Sequence, residues 1–91
     1  VGVTEQRLSV GLIVHYRLSD EDLRKLSARS LIAGNQPHVG DVYPAVILRV
    51  NGELSVNLRV LLDGPDDVWL TSRNYSVETN GCWFWPPKVG A

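Results

Sequence analysis

Methionine is absent from this chain, cysteine and phenylalanine occur once each, and histidine twice. Each scarcity removes a class of chemistry. With Cys82 alone, no disulfide can form within the chain and no cysteine-rich zinc site can be built. A lone thiol also suits a reducing cytoplasm. The two imidazoles, His15 and His38, have no further ligand at helical i, i+4 spacing, so no metal site is expected. No apolar run reaches the ~20 residues of a membrane-spanning helix. Val1 to Gln6 lack the basic start and apolar stretch of a secretory signal, and the missing initiator methionine is what a trimmed chain would show. The basic residues (Arg7, Arg17, Arg24, Lys25, Arg29, Arg49, Arg59, Arg73 and Lys88) are scattered, and the formal charge is −1. That argues against an extended nucleic-acid groove, which needs a basic stripe, but leaves one or two arginines to hold a small anion. No phosphate-cradling glycine loop, HExxH, GxSxG or paired-carboxylate signature is present. The expectation is a protein that is not an enzyme, with no metal, no cofactor and no membrane span.

What the chain does have is alternation. Of its 91 residues 44% are hydrophobic, enough for one compact core in a single domain spanning 1–91. Residues 1–9 carry no pattern and are expected to form an arm or edge segment. Gly11 to Arg17 reads as a strand, with Leu12, Val14 and Tyr16 on one face and Ile13, His15 and Arg17 on the other. Ser19 then offers a helix N-cap, and Asp22 three residues later can complete a variant capping box. Asp20, Glu21 and Asp22 place negative charge at the positive end of the helix dipole. Leu18 and Leu23 have the spacing of a hydrophobic staple. Leu23, Leu26 and either Ser30 or Leu31 are expected to face the core, and Arg24, Lys25 and Arg29 water. Gly34 supplies a stop, followed by a loop over 35–40.

The strongest strand signal lies over 41–62. Val42, Val46, Leu48 and Val50 alternate with Tyr43, Ala45, Ile47 and Arg49, and Pro44 requires an edge or a bend. Asn51-Gly52 predicts a two-residue hairpin turn. Beyond it Leu54, Val56, Leu58, Val60 and Leu62 share a face against Glu53, Ser55, Asn57 and Arg59. The hairpin is thus expected to have one greasy and one wet side, with a firm register. A turn over 63–67, a strand over 68–72, an irregular loop over 73–80 and a last strand over 81–85, stopped by Pro86-Pro87, complete the chain. Five short antiparallel strands predict a mainly β (α+β) fold. Its form is an SH3-like barrel or a curled sheet, with one helix inserted between the first two strands.

Four stretches, VGLIVHY (10–16), GDVYPAVILRV (40–50), LRVLLDGPDDVWLTS (58–72) and GCWFWPP (81–87), together resemble a family of small proteins of actinobacteria and their bacteriophages. They cover more than half of the chain, in order. The recurrent marks are Val-His-Tyr near the start and Gly-x-Trp-aromatic-Trp-Pro at the end; this chain carries Phe84 where the family often has histidine. The resemblance implies a phage or prophage accessory protein, in the cytoplasm of an infected host cell or in the virion, and implies no particular chemistry.

The aromatic residues and the loop before the last strand are the candidate site. Trp83 and Trp85 share a face of the last strand, opposite Cys82 and Phe84. They serve either as core or, with Trp69 and Tyr16, as an aromatic wall that stacks a flat ligand, worth ~1–3 kcal/mol per base. Arg73 could clamp a phosphate and Asn74 read a base edge, unless the segment is a plain solvated loop. Asp63, Asp66 and Asp67 fit turn chemistry better than a cation loop. A Cys82–His15 nucleophile pair lacks an orienting group, and the two imidazoles read better as a satisfied and a solvated histidine. Two functions stay open. One is a homo-oligomeric binder that sequesters a small nucleotide, such as a host immune signal. The other is a virion decoration or protein–protein interaction module, including partner binding in the manner of an SH3 domain through solvent-facing tryptophans.

Overall fold

The computed structural model describes residues 7–28 and 34–87. Six elements follow one another: β1 (Ile13–Arg17), α1 (Asp20–Ala28), β2 (Val42–Gly52), β3 (Ser55–Leu61), β4 (Asp67–Asn74) and β5 (Cys82–Phe84). The strands form one antiparallel sheet in the order β4-β3-β2-β1-β5. Of the two forms expected, it is the curled one, a half-barrel with the helix between β1 and β2. Just past β4, Tyr75 forms a bridge to Trp83, and the Ser76 N–H donates to the Trp83 carbonyl at 3.0 Å. The two edges of the sheet therefore meet at one end.

The helix starts as its capping box predicts. The Asp22 N–H donates to Ser19 Oγ at 3.1 Å, and the Ser19 N–H donates back to Asp22 Oδ2 at 3.0 Å. Leu18 and Leu26 are fully buried and Leu23 packs against the core. Arg29, Ser30 and Leu31 lie outside the described residues. Gly34, expected as the helix stop, is held at φ +101°, and a Cβ there would run into the backbone of Asp63 and Gly64. Asn35 completes this dock, donating its N–H to the Asp63 carbonyl and its amide to Asp63 Oδ2. Leu8, within the expected arm, also packs on the core.

Inside the curl lie Val14 and Tyr16 of β1, Ala45 and Ile47 of β2, Val56, Leu58 and Val60 of β3, Val68 and Leu70 of β4, and Trp83 of β5. The β1 and β3 faces are those expected from alternation. On β2, the pairs Ala45–Val60 and Ile47–Leu58 turn Ala45 and Ile47 inward and leave Val42, Val46 and Leu48 outside. The outer side of β2 is thus not wet, contrary to expectation, whereas that of β3 carries the expected Ser55, Asn57 and Arg59. Apolar residues occupy both parities of β2, so cross-strand pairing rather than its own alternation chooses the face. Pro44 pairs with His15 of β1 just beyond the first β2–β3 pair, at a local edge of the kind proline requires.

Three irregularities correct the strand boundaries. The β2–β3 register shifts between Ile47 and Arg49 and again between Val50 and Gly52. These bulges carry the pairing past Asn51-Gly52, and the hairpin turns at Glu53-Leu54 instead, with Gly52 opposite Ser55. Leu54 therefore leaves the core, 49% exposed and at φ 58°. The third irregularity lies in β4, where Thr71 and Ser72 together face Asn57 of β3 and Ser72 adopts φ 55°. Asn57 Oδ1 fills this bulge, accepting from Thr71 Oγ1 at 2.9 Å, the Ser72 N–H at 2.9 Å and Asn51 Nδ2 at 2.8 Å. The strand continues through Arg73 and Asn74, so these two are not in a loop as expected. The last strand is Cys82–Phe84, shorter than expected, with Trp85 beyond its end.

A left-handed backbone at a leucine costs roughly 1–2 kcal/mol, part of which the greater chain entropy of glycine offsets. Leu54→Gly is expected to raise unfolding stability by about 0.5–1 kcal/mol in urea titrations. A loss of stability would mean that the leucine side chain, and not its backbone, is what the turn uses.

Candidate functional site

The β4 bulge decides where Arg73 points. Val68 and Leu70 face inward, and without the extra residue Arg73 would face outward. The bulge turns it into the curl, where its Nε donates to Tyr16 Oη at 3.0 Å and its Nη2 lies 3.3 Å from Asp22 Oδ1. Nη1 donates to the Thr71 carbonyl at 3.0 Å. Tyr16 in turn donates to Asp22 Oδ2 at 2.6 Å. Burial, then the hydrogen bond and charge of Asp22, push the Tyr16 phenol well above its ordinary range, against a smaller opposing pull from Arg73. For Arg73, burial works to lower the guanidinium, but Tyr16 and Asp22 outweigh it and hold its pKa above the usual value. β1, α1 and β4 are thus tied through one nearly inaccessible carboxylate, 2% exposed.

Beside this network the rings of Tyr75, Trp83 and Trp85 stack edge to face. Trp83 lies between the other two, at 5.1 Å from Tyr75 and 5.2 Å from Trp85. Trp83 is fully buried, and its indole N–H donates to the Leu54 carbonyl at 3.0 Å. Trp85 is half-buried against the core. On the opposite side of β5, Phe84 is covered by Arg17, 5.0 Å from its ring centre, and by the edge of His15 at 5.6 Å. Arg17 donates Nη2 to the Val77 carbonyl at 3.0 Å, while its Nε has no hydrogen-bond partner among the described residues.

Of the six residues singled out from the sequence, the structure brings Tyr16, Arg73, Trp83 and Trp85 to one region inside or at the rim of the curl. Asn74 is exposed at the end of β4, opposite Ser55. Trp69 stands apart on the outer face, 47% exposed. The other candidates stay local. Asp63 holds Asn35, and Asp67 pairs with Arg59 at 2.8 Å. His38 lies exposed, 3.7 Å from Asp41. Burial pushes the Cys82 thiol up, and Arg73 opposes this only in part, the reverse of what an activated nucleophile needs. Among the described residues no group of three or more His, Cys, Asp or Glu side chains is placed to hold a metal ion.

The surface that sequence reasoning missed is the outer face of the sheet. Register pairs join Ile13 to Val46, Val46 to Arg59 and Arg59 to Trp69, a row that crosses four strands. Ile13 is 50% exposed, and Val42, Leu48 and Leu61 on the same face are exposed too. The signal was present in β2, whose apolar residues fall on both parities. Strands of that kind are usually covered on both faces.

No family model, curated protein or solved structure matches the chain.

Two measurements test the interior network. Arg73→Ala leaves the buried Asp22 carboxylate without its cation and is expected to lower unfolding stability by about 2–3 kcal/mol, less than for a fully buried pair because Arg73 is partly exposed. The second concerns pH. A phenol raised in the folded state stabilises the protein fully below the ordinary tyrosine value of 10.0, and that contribution is lost as pH climbs beyond it. Stability measured from pH 8 to 11 should therefore fall at the alkaline end, and the fall should be shallower in Tyr16→Phe. Equal slopes would show that Tyr16 is not held protonated.

Proposed function

We propose that this chain is a phage or prophage accessory protein that works by binding another protein on the outer face of its half-barrel. The observation that carries this is the outward row of exposed Ile13, half-buried Val46, and exposed Arg59 and Trp69, flanked by exposed Val42, Leu48 and Leu61. Contiguous apolar surface on a small domain marks a place of contact. Tryptophan and arginine side by side are the residue types that dominate binding energy at protein interfaces. The nucleotide-binding alternative draws less from the geometry. Tyr16 and Trp83 are fully buried, and Arg73 already serves Tyr16, Asp22 and the Thr71 carbonyl. A clamp for phosphate would first have to surrender those bonds.

Photo-crosslinking in cells of the source organism tests this reading. With benzoylphenylalanine replacing Trp69, irradiation is expected to yield a covalent adduct with one protein. The same group replacing Glu78, an exposed residue of the segment between β4 and β5, should yield none. No protein adduct at position 69, together with heat on titrating the purified protein with cyclic dinucleotides, would move the reading to nucleotide sequestration.

A further inference from the structure

Resting on the protein-binding reading, we infer that the partner presents an acidic segment, with carboxylates flanking apolar side chains, to the outer face. The charges on that face are unbalanced although the chain as a whole carries −1. At the outward positions of the strands stand Arg17, Arg49 and Arg59 against one carboxylate, Asp67. Arg59 is neutralised in place by Asp67, at 2.8 Å. Arg17 and Arg49 have no carboxylate partner among the described residues. Of the other described acidic side chains, Asp20, Glu21 and Asp22 begin α1, Glu53 sits in the hairpin turn, Asp63 and Asp66 belong to the β3–β4 turn, Asp41 precedes β2 and is taken by His38 and Tyr43, and Glu78 follows Val77 in the segment between β4 and β5.

These two arginines bracket the apolar surface, Arg17 lying over Phe84 with its Nη2 on the Val77 carbonyl. Arg17 lies opposite Val42 at the start of β2, and Arg49 follows Leu48 in the β2 bulge. Seven residue steps of β2 lead from Val42 to Arg49, or roughly 20 Å at the rise of a bent strand. An extended partner segment of about 7 residues, or a helix of about 14, covers that span. Its apolar side chains would meet Ile13, Val46, Leu48 and Trp69, and its end carboxylates the two guanidiniums. Opposite charge at the rim aligns such a segment and speeds its encounter, while the apolar centre supplies most of the affinity.

A displayed library of random 16-residue peptides, selected on the purified protein, tests the chemistry of the partner. Enriched peptides are expected to carry an excess of Asp and Glu around two or more large apolar residues. Their affinity should fall at least tenfold in Trp69→Ala and in Arg49→Glu, and should weaken as salt rises. Replacing the peptide's acids by lysine should restore binding to Arg49→Glu, which a merely unfolded variant could not do. Enriched peptides without acidic excess, or indifferent to both variants, would overturn the inference. So would self-association abolished by Trp69→Asp, which makes the occupant a second copy of the chain, or tight binding of oligothymidylate, which makes it a nucleic acid. A crosslink at position 69 combined with neutral peptides would sink the acidic partner alone. No crosslink at all would sink the binding face itself.

Discussion

The carboxylate of Asp22 is the joint on which the rest of the half-barrel turns. Among the described residues the edges of the sheet, β4 and β5, meet by backbone contact near Tyr75 and Trp83. Elsewhere the curl is held from inside, by Arg73 reaching from β4 to Tyr16 of β1 and Asp22 of α1. The same Asp22 oxygen that receives the Tyr16 hydroxyl also accepts the Ser19 N–H. One side chain therefore starts the helix, anchors the first strand and neutralises the cation of the fourth. Buried ion pairs add little net stability when compared with apolar replacements. Their effect here is directional: a carboxylate this inaccessible can be satisfied in one arrangement of the three elements, and alternatives leave it bare.

That arrangement depends in turn on a single extra residue in β4. Period-2 geometry would send Arg73 to the outer face, beside Trp69. The bulge at Thr71 and Ser72 reverses its direction, and Asn57 Oδ1 holds the bulge by accepting three donors. A polar residue in the middle of β3 thus controls the aim of an arginine two strand-ends away from the helix it neutralises. The energetics follow the same chain: the hydrogen bonds of Asn57 are individually modest, but losing them frees a guanidinium that the core is built to receive.

How much of this could be read from the residues follows from where local rules compete. The helix start was legible because Ser19 and Asp22 satisfy each other within one turn. The β3 face was legible because Val56, Leu58 and Val60 are apolar and their neighbours polar. β2 offers no such contrast, so its orientation became visible only through its pairing with β3. Asn51-Gly52 has the stronger local preference for a turn, yet two bulges displace the turn to Glu53-Leu54, where the Trp83 indole captures the leucine carbonyl. Arg73 was marked as a phosphate clamp in a loop; the structure places it in β4, bonded to Tyr16 and Asp22, because nothing in the sequence announces a bulge. The aromatic residues split for the same reason: position parity places Trp83 inside and Trp69 outside, whereas composition alone treats them alike.

A strand that is apolar on both faces, as β2 is, has a problem that a one-sided strand avoids. Register in a half-buried strand is normally enforced because a one-residue slip exposes the whole apolar set. For β2 a slip would exchange Ala45 and Ile47 for Val46 and Leu48 at little hydrophobic cost. The discrimination must come from groups that cannot be exchanged: Pro44, which lacks a ladder donor, Asn57 in its bulge, and the Arg59–Asp67 pair fixing β3 against β4 from outside. These residues let the outer side of β2 stay apolar without scrambling the fold. Arg49 and Arg59 also keep that face from being uniformly sticky, standing among the valines and leucines as gatekeepers against indiscriminate pairing. The apolar outer side of β2 thus carries a cost in register specificity, which Pro44, Asn57 and the Arg59–Asp67 pair offset.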